Sequence, residues 1–128
     1  MARRPTTGPT DAELEILQVL WQRGPSTVRE VNAQLSRRRP TGQTTTLKLM
    51  QIMVDKGLLL RDESVRPQLF RPAADKATTQ RTLVRDLLHR AFDGSAAQLV
   101  VQALSSKRAS ARELQEIRRL LSDMERNP

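Results

Sequence analysis

Apolar residues recur along the first half of the chain at spacings of three and four, interrupted by glycine and proline. Leu14, Leu17 and Leu20, with Ile16 and Trp21, form one stripe that stops at Gly24-Pro25, where glycine supplies a left-handed cap and proline blocks continuation. This pattern predicts a first helix over about residues 10–23. Val28, Val31 and Leu35 give a second, short amphipathic helix ending at Ser36. A third runs from Gln43 to Lys56 without Gly or Pro and is terminated by Gly57. At about 100° per residue, its Thr46, Leu49, Met50 and Met53 gather on one side, while Thr44, Lys48, Gln51 and Asp55 gather on the other. Thr45 and Leu47 lie at the margins. One side of this helix is therefore core and the opposite side polar.

Beyond Gly57 the pattern changes to Leu58-Leu59-Leu60-Arg61 and Gln68-Leu69-Phe70-Arg71-Pro72 around a polar turn, which predicts two short strands. A two-stranded hairpin is marginal alone and must lean on the helices. Three helices followed by a hairpin, with the basic loop Arg37-Arg38-Arg39-Pro40-Thr41-Gly42 before the third helix, is the order of a winged helix-turn-helix domain.

The rest of the chain is helical in pattern. Leu83, Val84, Leu87, Leu88, Ala91 and Phe92 form a stripe ending at Asp93-Gly94, and Leu99, Val100, Ala103 and Leu104 form a shorter one. Leu114, Ile117, Leu121 and Met124 then give a heptad seam on a helix from about Ser110 to Arg126. Three helix starts carry Ser or Thr followed three residues later by Glu, the capping-box signature: Thr10/Glu13, Thr27/Glu30 and Ser110/Glu113. Narrow apolar stripes on short helices bury little by themselves, so a second copy of the chain is the expected cover for this region. The expected organisation is a tail over 1–9, a winged-helix domain over 10–74 and a three-helix dimerisation region over 75–128. The fold class is mostly α with a small hairpin wing, and Leu83, Leu87, Leu99, Leu114, Ile117, Leu121 and Met124 are the candidate dimer contacts.

Composition narrows the function. The 128 residues carry 22 Lys+Arg against 14 Asp+Glu, a net charge of +8, which favours an anionic partner. With no Cys there is no disulfide, thiolate zinc site or cysteine nucleophile, and a lone His89 builds no metal cluster. Among catalytic signatures, a phosphate-cradling glycine loop and a nucleophile elbow are both missing, so no enzyme and no cofactor are expected. Met1-Ala2-Arg3-Arg4 leads into Pro5-Thr6-Thr7-Gly8-Pro9 and not into an apolar signal core, which points to a cytoplasmic protein. The uncharged stretch from Gly94 to Ser106 falls short of the roughly 20 residues that a membrane span needs, so membrane insertion is not expected.

The charge is also positioned. Between Arg37 and Arg71 eight basic residues (Arg37, Arg38, Arg39, Lys48, Lys56, Arg61, Arg66, Arg71) face three acidic ones (Asp55, Asp62, Glu63), a surplus of five. That window spans the turn, the third helix and the wing, the parts of such a domain that lie against duplex DNA. Thr44, Thr45, Lys48 and Gln51 are the candidates for reading base edges, with Leu47 able to meet a thymine methyl. Arg37, Arg38, Arg39, Arg61 and Arg66 are the candidates for phosphate contact. The alternative from a different class is a protein-interaction module, in which the winged helix is a docking platform without specific DNA binding.

Pro9-Thr10-Asp11-Ala12-Glu13-Leu14-Glu15-Ile16-Leu17 with Leu20-Trp21, Ser26-Thr27-Val28-Arg29-Glu30-Val31, Thr44-Thr45-Thr46, Asp55-Lys56-Gly57-Leu58, Ala91-Phe92-Asp93-Gly94-Ser95 and Ser110-Ala111-Arg112-Glu113-Leu114 follow one another in a distinctive order. In that order and spacing the chain resembles the BlaI/MecI/CopY family of bacterial transcriptional repressors, also called penicillinase repressors. The resemblance implies a homodimer with an N-terminal winged helix, bound to a dyad-symmetric DNA operator and blocking transcription. It also implies DNA contacts from Thr44, Thr45, Lys48 and the wing arginines. Ile52 departs from the family pattern, where many relatives have a basic residue. Antibiotic-responsive members answer to a membrane sensor through cleavage of an Asn-Phe bond. The matching stretch here, Leu99-Val100-Val101-Gln102-Ala103-Leu104, holds no such bond, so the sequence gives a sensor or protease pathway no cleavage motif. Copper-responsive members carry C-terminal cysteines that this chain lacks.

Overall fold

A computed structural model describes residues 8–128, in the order α1 (Asp11–Arg23), α2 (Val28–Leu35), α3 (Gln43–Asp55), β1 (Leu59–Asp62), β2 (Leu69–Pro72), α4 (Lys76–Ala91), α5 (Ala96–Ser106) and α6 (Ala111–Arg126). The expected tail over 1–9 lies, as far as residue 7, outside the described residues. The described residues are mostly α with one two-stranded antiparallel sheet, a winged-helix arrangement. The chain divides within α4 into two compact units, the first ending at Leu83 and the second beginning at Val84.

In the first unit the capping signals act as the sequence predicts. Thr10 Oγ1 accepts the Glu13 N–H at 3.2 Å and Glu13 Oε1 accepts the Thr10 N–H at 2.8 Å, closing the box that starts α1. Thr27 and Glu30 repeat it at α2, at 3.2 and 2.9 Å. At the end of α3, Gly57 adopts φ +80°, its N–H bonds the Val54 carbonyl at 3.0 Å and the Leu58 N–H bonds the Met53 carbonyl at 2.8 Å. That pair of bonds is a Schellman stop, which needs a residue without a Cβ penalty at the left-handed position.

Ile16, Leu17 and Leu20 of α1, Val31 of α2, Met50 and Met53 of α3, Leu59 of β1 and Phe70 of β2 form one buried cluster. It lies where the three helices meet the inner side of the hairpin. β1 and β2 pair in the register Leu59↔Pro72, Leu60↔Arg71, Arg61↔Phe70 and Asp62↔Leu69. Support for this small hairpin comes from the loop between α1 and α2. The Ser26 N–H donates to the Phe70 carbonyl at 3.1 Å and the Phe70 N–H donates to the Ser26 carbonyl at 2.8 Å. A third segment thus satisfies the outer edge of β2, while Trp21 Nε1 bonds the Ala74 carbonyl at 3.3 Å just beyond it.

α4 begins about two turns before the first residue of its apolar stripe, because the Asp75 carboxylate caps it by accepting the Thr78 N–H at 2.8 Å. In α6 the third capping signature is half formed: Ser110 Oγ accepts the Glu113 N–H at 3.0 Å, but the return arm from Glu113 is not made. No residue of α4, α5 or α6 is buried. Val84, Leu87, Val101, Leu120, Leu121 and Met124 all stand open to solvent.

Candidate nucleic-acid interface

The orientation of α3 is set from both ends. Near its start, Thr46 Oγ1 donates to Asn32 Oδ1 of α2 at 2.8 Å, with Thr46 fully buried. Just past its end, Lys56 Nζ donates to Glu13 Oε1 of α1 at 2.7 Å. Burial of Glu13 opposes its ionisation, but the Lys56 hydrogen bond and the Thr10 amide outweigh that, so its carboxyl titrates below the ordinary glutamate value. Between these ties, Met50 and Met53 are drawn into the core and the opposite side is left to solvent.

Thr44, Lys48 and Gln51, at helical spacings of four and three, are all exposed on that side, and so is Thr45 at its margin. Asp55 is exposed at the far end of the same side. The N-terminus of α3 differs in chemistry from those of α1, α2 and α6. Its N-cap is Gly42, which makes no side-chain cap bond, and its first turn carries no acid. The first amides of α3 are therefore open to solvent or to an anion.

The cations sort into two groups. Arg37, Arg38, Lys48, Arg66 and Arg71 make no ion pair among the described residues, and all are exposed. Arg39 instead pairs with Glu15 at 3.1 Å, Arg61 with Glu63 at 3.2 Å, and Lys56 with Glu13. Arg39 and Glu63 are well exposed, so these surface pairs are exchangeable for another anion at small cost. The turn between β1 and β2 is ordered by Asp62, whose Oδ1 accepts the Ser64 N–H at 2.9 Å and the Ser64 hydroxyl at 2.5 Å. Those bonds, with the positive charge of Arg71, hold the Asp62 carboxyl below the usual range. Arg66 follows at the exposed tip.

Of the candidate dimer contacts, Leu83, Leu99, Leu114 and Ile117 are half-buried, while Leu87, Leu121 and Met124 are exposed. Sequence reasoning placed Glu13 in a capping box but missed its tie to Lys56, and gave no structural role to Asn32 or Ser26; these three hold α3 and the wing in position. Their signals are ordinary capping and loop residues, whose distant partners nothing local announces. Among the described residues no cluster of His, Asp or Glu could hold a metal ion, and no helix is long and apolar enough to cross a membrane.

A family model described as penicillinase repressor matches residues 9–123. The chain belongs to the penicillinase repressor family. The penicillinase repressor of Bacillus licheniformis is 24% identical over 114 residues, covering 89% of this chain and 89% of that protein. The transcriptional regulator BlaI of Mycobacterium tuberculosis (strain CDC 1551 / Oshkosh) is 30% identical over 116 residues, covering 90% of this chain and 83% of the relative. A protein of the same name from strain ATCC 25618 / H37Rv matches equally. The match to the penicillinase repressor model runs from before α1 almost to the end of α6, so both units of the chain are family material.

Proposed function

We propose that the chain is a sequence-specific DNA-binding transcriptional repressor that acts as a homodimer on a dyad-symmetric operator. The observation that carries this reading is the solvent side of α3, where Thr44, Lys48 and Gln51 stand exposed beside a helix start free of acids. In this reading α3 enters the major groove. Lys48 donates to guanine O6 or N7, Gln51 bonds adenine, and the threonine hydroxyls reach base or phosphate. Arg37 and Arg38 before the helix and Arg66 on the wing contact phosphates on either side, with Arg39 and Arg61 exchanging their carboxylate partners for phosphate. These contacts fix the register in which the α3 side chains meet the bases.

Residues 10–74 form the DNA-binding domain and residues 75–128 the dimerisation domain. Support for the dimer is the apolar surface of α4 to α6, where Leu87, Leu121 and Met124 are 48%, 53% and 61% exposed. A monomer gains nothing from displaying such a heptad seam, whereas a two-fold partner covers it. Two copies present two α3 helices to successive major grooves, which is why the operator is dyad-symmetric. Repression follows by occupancy: a dimer seated on a promoter excludes the polymerase. The protein works in the cytoplasm, performs no catalysis and needs no cofactor.

Transcription in vitro tests this directly. Run-off transcript from a template bearing the region upstream of the chain's own gene should fall as purified protein is added, while a template with a scrambled upstream region is unaffected. Equal yields from both templates at every protein concentration would overturn the repressor reading and favour a protein-docking role for the winged helix.

A further inference from the structure

Two residues of α3 have no role in the polar contacts just described. Leu47 and Ile52 are 39% and 40% exposed, on a helix whose inner side is already filled by Thr46, Met50 and Met53. At about 100° per residue, Leu47 lies about 60° to one side of Thr44 and Ile52 about 80° to the other. They therefore frame the strip formed by Thr44, Lys48 and Gln51, as an apolar border on each side of a polar centre.

That centre has few long polar side chains. Lys48 and Gln51 alone can reach base edges with nitrogen or amide groups, and Asp55 at the far end repels phosphate. The side chains of Leu47 and Ile52 carry no hydrogen-bonding atom, although Thr45 places a hydroxyl beside Ile52. In a major groove the one apolar feature that distinguishes base pairs is the C5-methyl group of thymine. An apolar protein partner fits less well, because Lys48 stands between the two borders and the exposed Arg37, Arg38 and Arg66 belong to the neighbouring loop and wing.

We propose that Leu47 and Ile52 are specificity-determining residues that bury thymine methyl groups on either side of the Lys48 and Gln51 contacts. This rests on the reading of the chain as a duplex-binding protein, and it makes the operator a thymine-marked site. Hydrogen bonds then choose the central bases, and methyl burial chooses the flanking ones.

The test separates the two levels. Duplexes are selected from a random library with the purified full chain, and the best is remade with deoxyuridine in place of thymine, which removes the methyl and leaves the hydrogen-bonding edge intact. Wild-type protein should bind the uracil duplex more weakly, by about fourfold for each methyl taken out of contact. L47A and I52A, at exposed positions that the core does not use, should each bind the thymine duplex more weakly. The double variant should bind the thymine and uracil duplexes alike. Equal wild-type affinity for both duplexes, or a double variant that keeps the full uracil penalty, would overturn this inference and leave duplex recognition standing. A selection that enriches nothing above random sequence would overturn the duplex reading itself, and this inference with it.

Discussion

Lys56, one residue past the end of α3, donates its ammonium to the same Glu13 oxygen that accepts the Thr10 amide at the start of α1, at 2.7 and 2.8 Å. One buried carboxylate oxygen therefore closes the first turn of α1 and fixes the far end of α3. Glu13→Gln keeps the shape but loses the charge-assisted bond, and should cost about 1–2 kcal/mol of stability, less than a fully buried pair because Lys56 is partly in water. Chemical denaturation of both proteins at neutral pH measures it.

The same pair sets an acid dependence. The folded-state pKa of Glu13 lies below its ordinary value of 4.5, so its stabilisation is complete above that ordinary value and is lost as pH falls through the lower folded value. The stability difference between wild type and Glu13→Gln should accordingly be constant from neutral pH down to about pH 5 and shrink progressively as pH falls below the ordinary value of 4.5. Denaturation midpoints collected across that range check it; a difference that widened on acidification would have the wrong sign.

Thr46→Val replaces the buried hydroxyl with a methyl of similar size and leaves Asn32 Oδ1 without its donor. Loss of about 1–3 kcal/mol is expected. Asn32→Ala combined with Thr46→Val should cost less than the sum of the two single changes, because each removes the partner whose loss strands the other. A double-mutant cycle by thermal or urea denaturation reads the coupling directly.

Much of this architecture is legible in the sequence because its signals are local. Thr10/Glu13 and Thr27/Glu30 lie within one helical turn, Gly57 announces a helix stop, and the division of the third helix into a core side and a polar side follows from its period. What could not be read depends on partners far along the chain. Glu15 and Arg39 are 24 residues apart and Glu13 and Lys56 are 43 apart, so the fold alone decides which of the cations are already engaged. The bridge from Ser26 to Phe70 is a backbone contact that no local side-chain pattern announces. The Ser110 signature shows the limit of a local signal: its box is only half made, although the box at Thr27 closes with Glu30 equally in water.

Charge position predicts how binding fails. Lys48→Ala should weaken a selected duplex by about 1–3 kcal/mol and random duplex much less, because it removes a base contact. Arg38→Ala should weaken both about equally and lower the slope of log affinity against log salt by about one. Equal losses on the two duplexes for Lys48→Ala would remove its base-reading role.

Leu121→Glu puts a charge into the seam at a position that is 53% exposed in the single chain, so the monomer fold should tolerate it. Sedimentation should show the wild type as a dimer and the variant as a monomer with unchanged helix content. A variant that sediments like the wild type would move the dimer contact away from α6.

The account stands or falls on whether the chain binds one duplex in preference to others. Titration of the purified protein onto a duplex selected from a random library, in a salt series with random duplex as competitor, measures that directly. The account predicts tight binding by two chains per site that survives competition and weakens steeply as salt rises. Affinity no better than for random duplex at every salt concentration would contradict it.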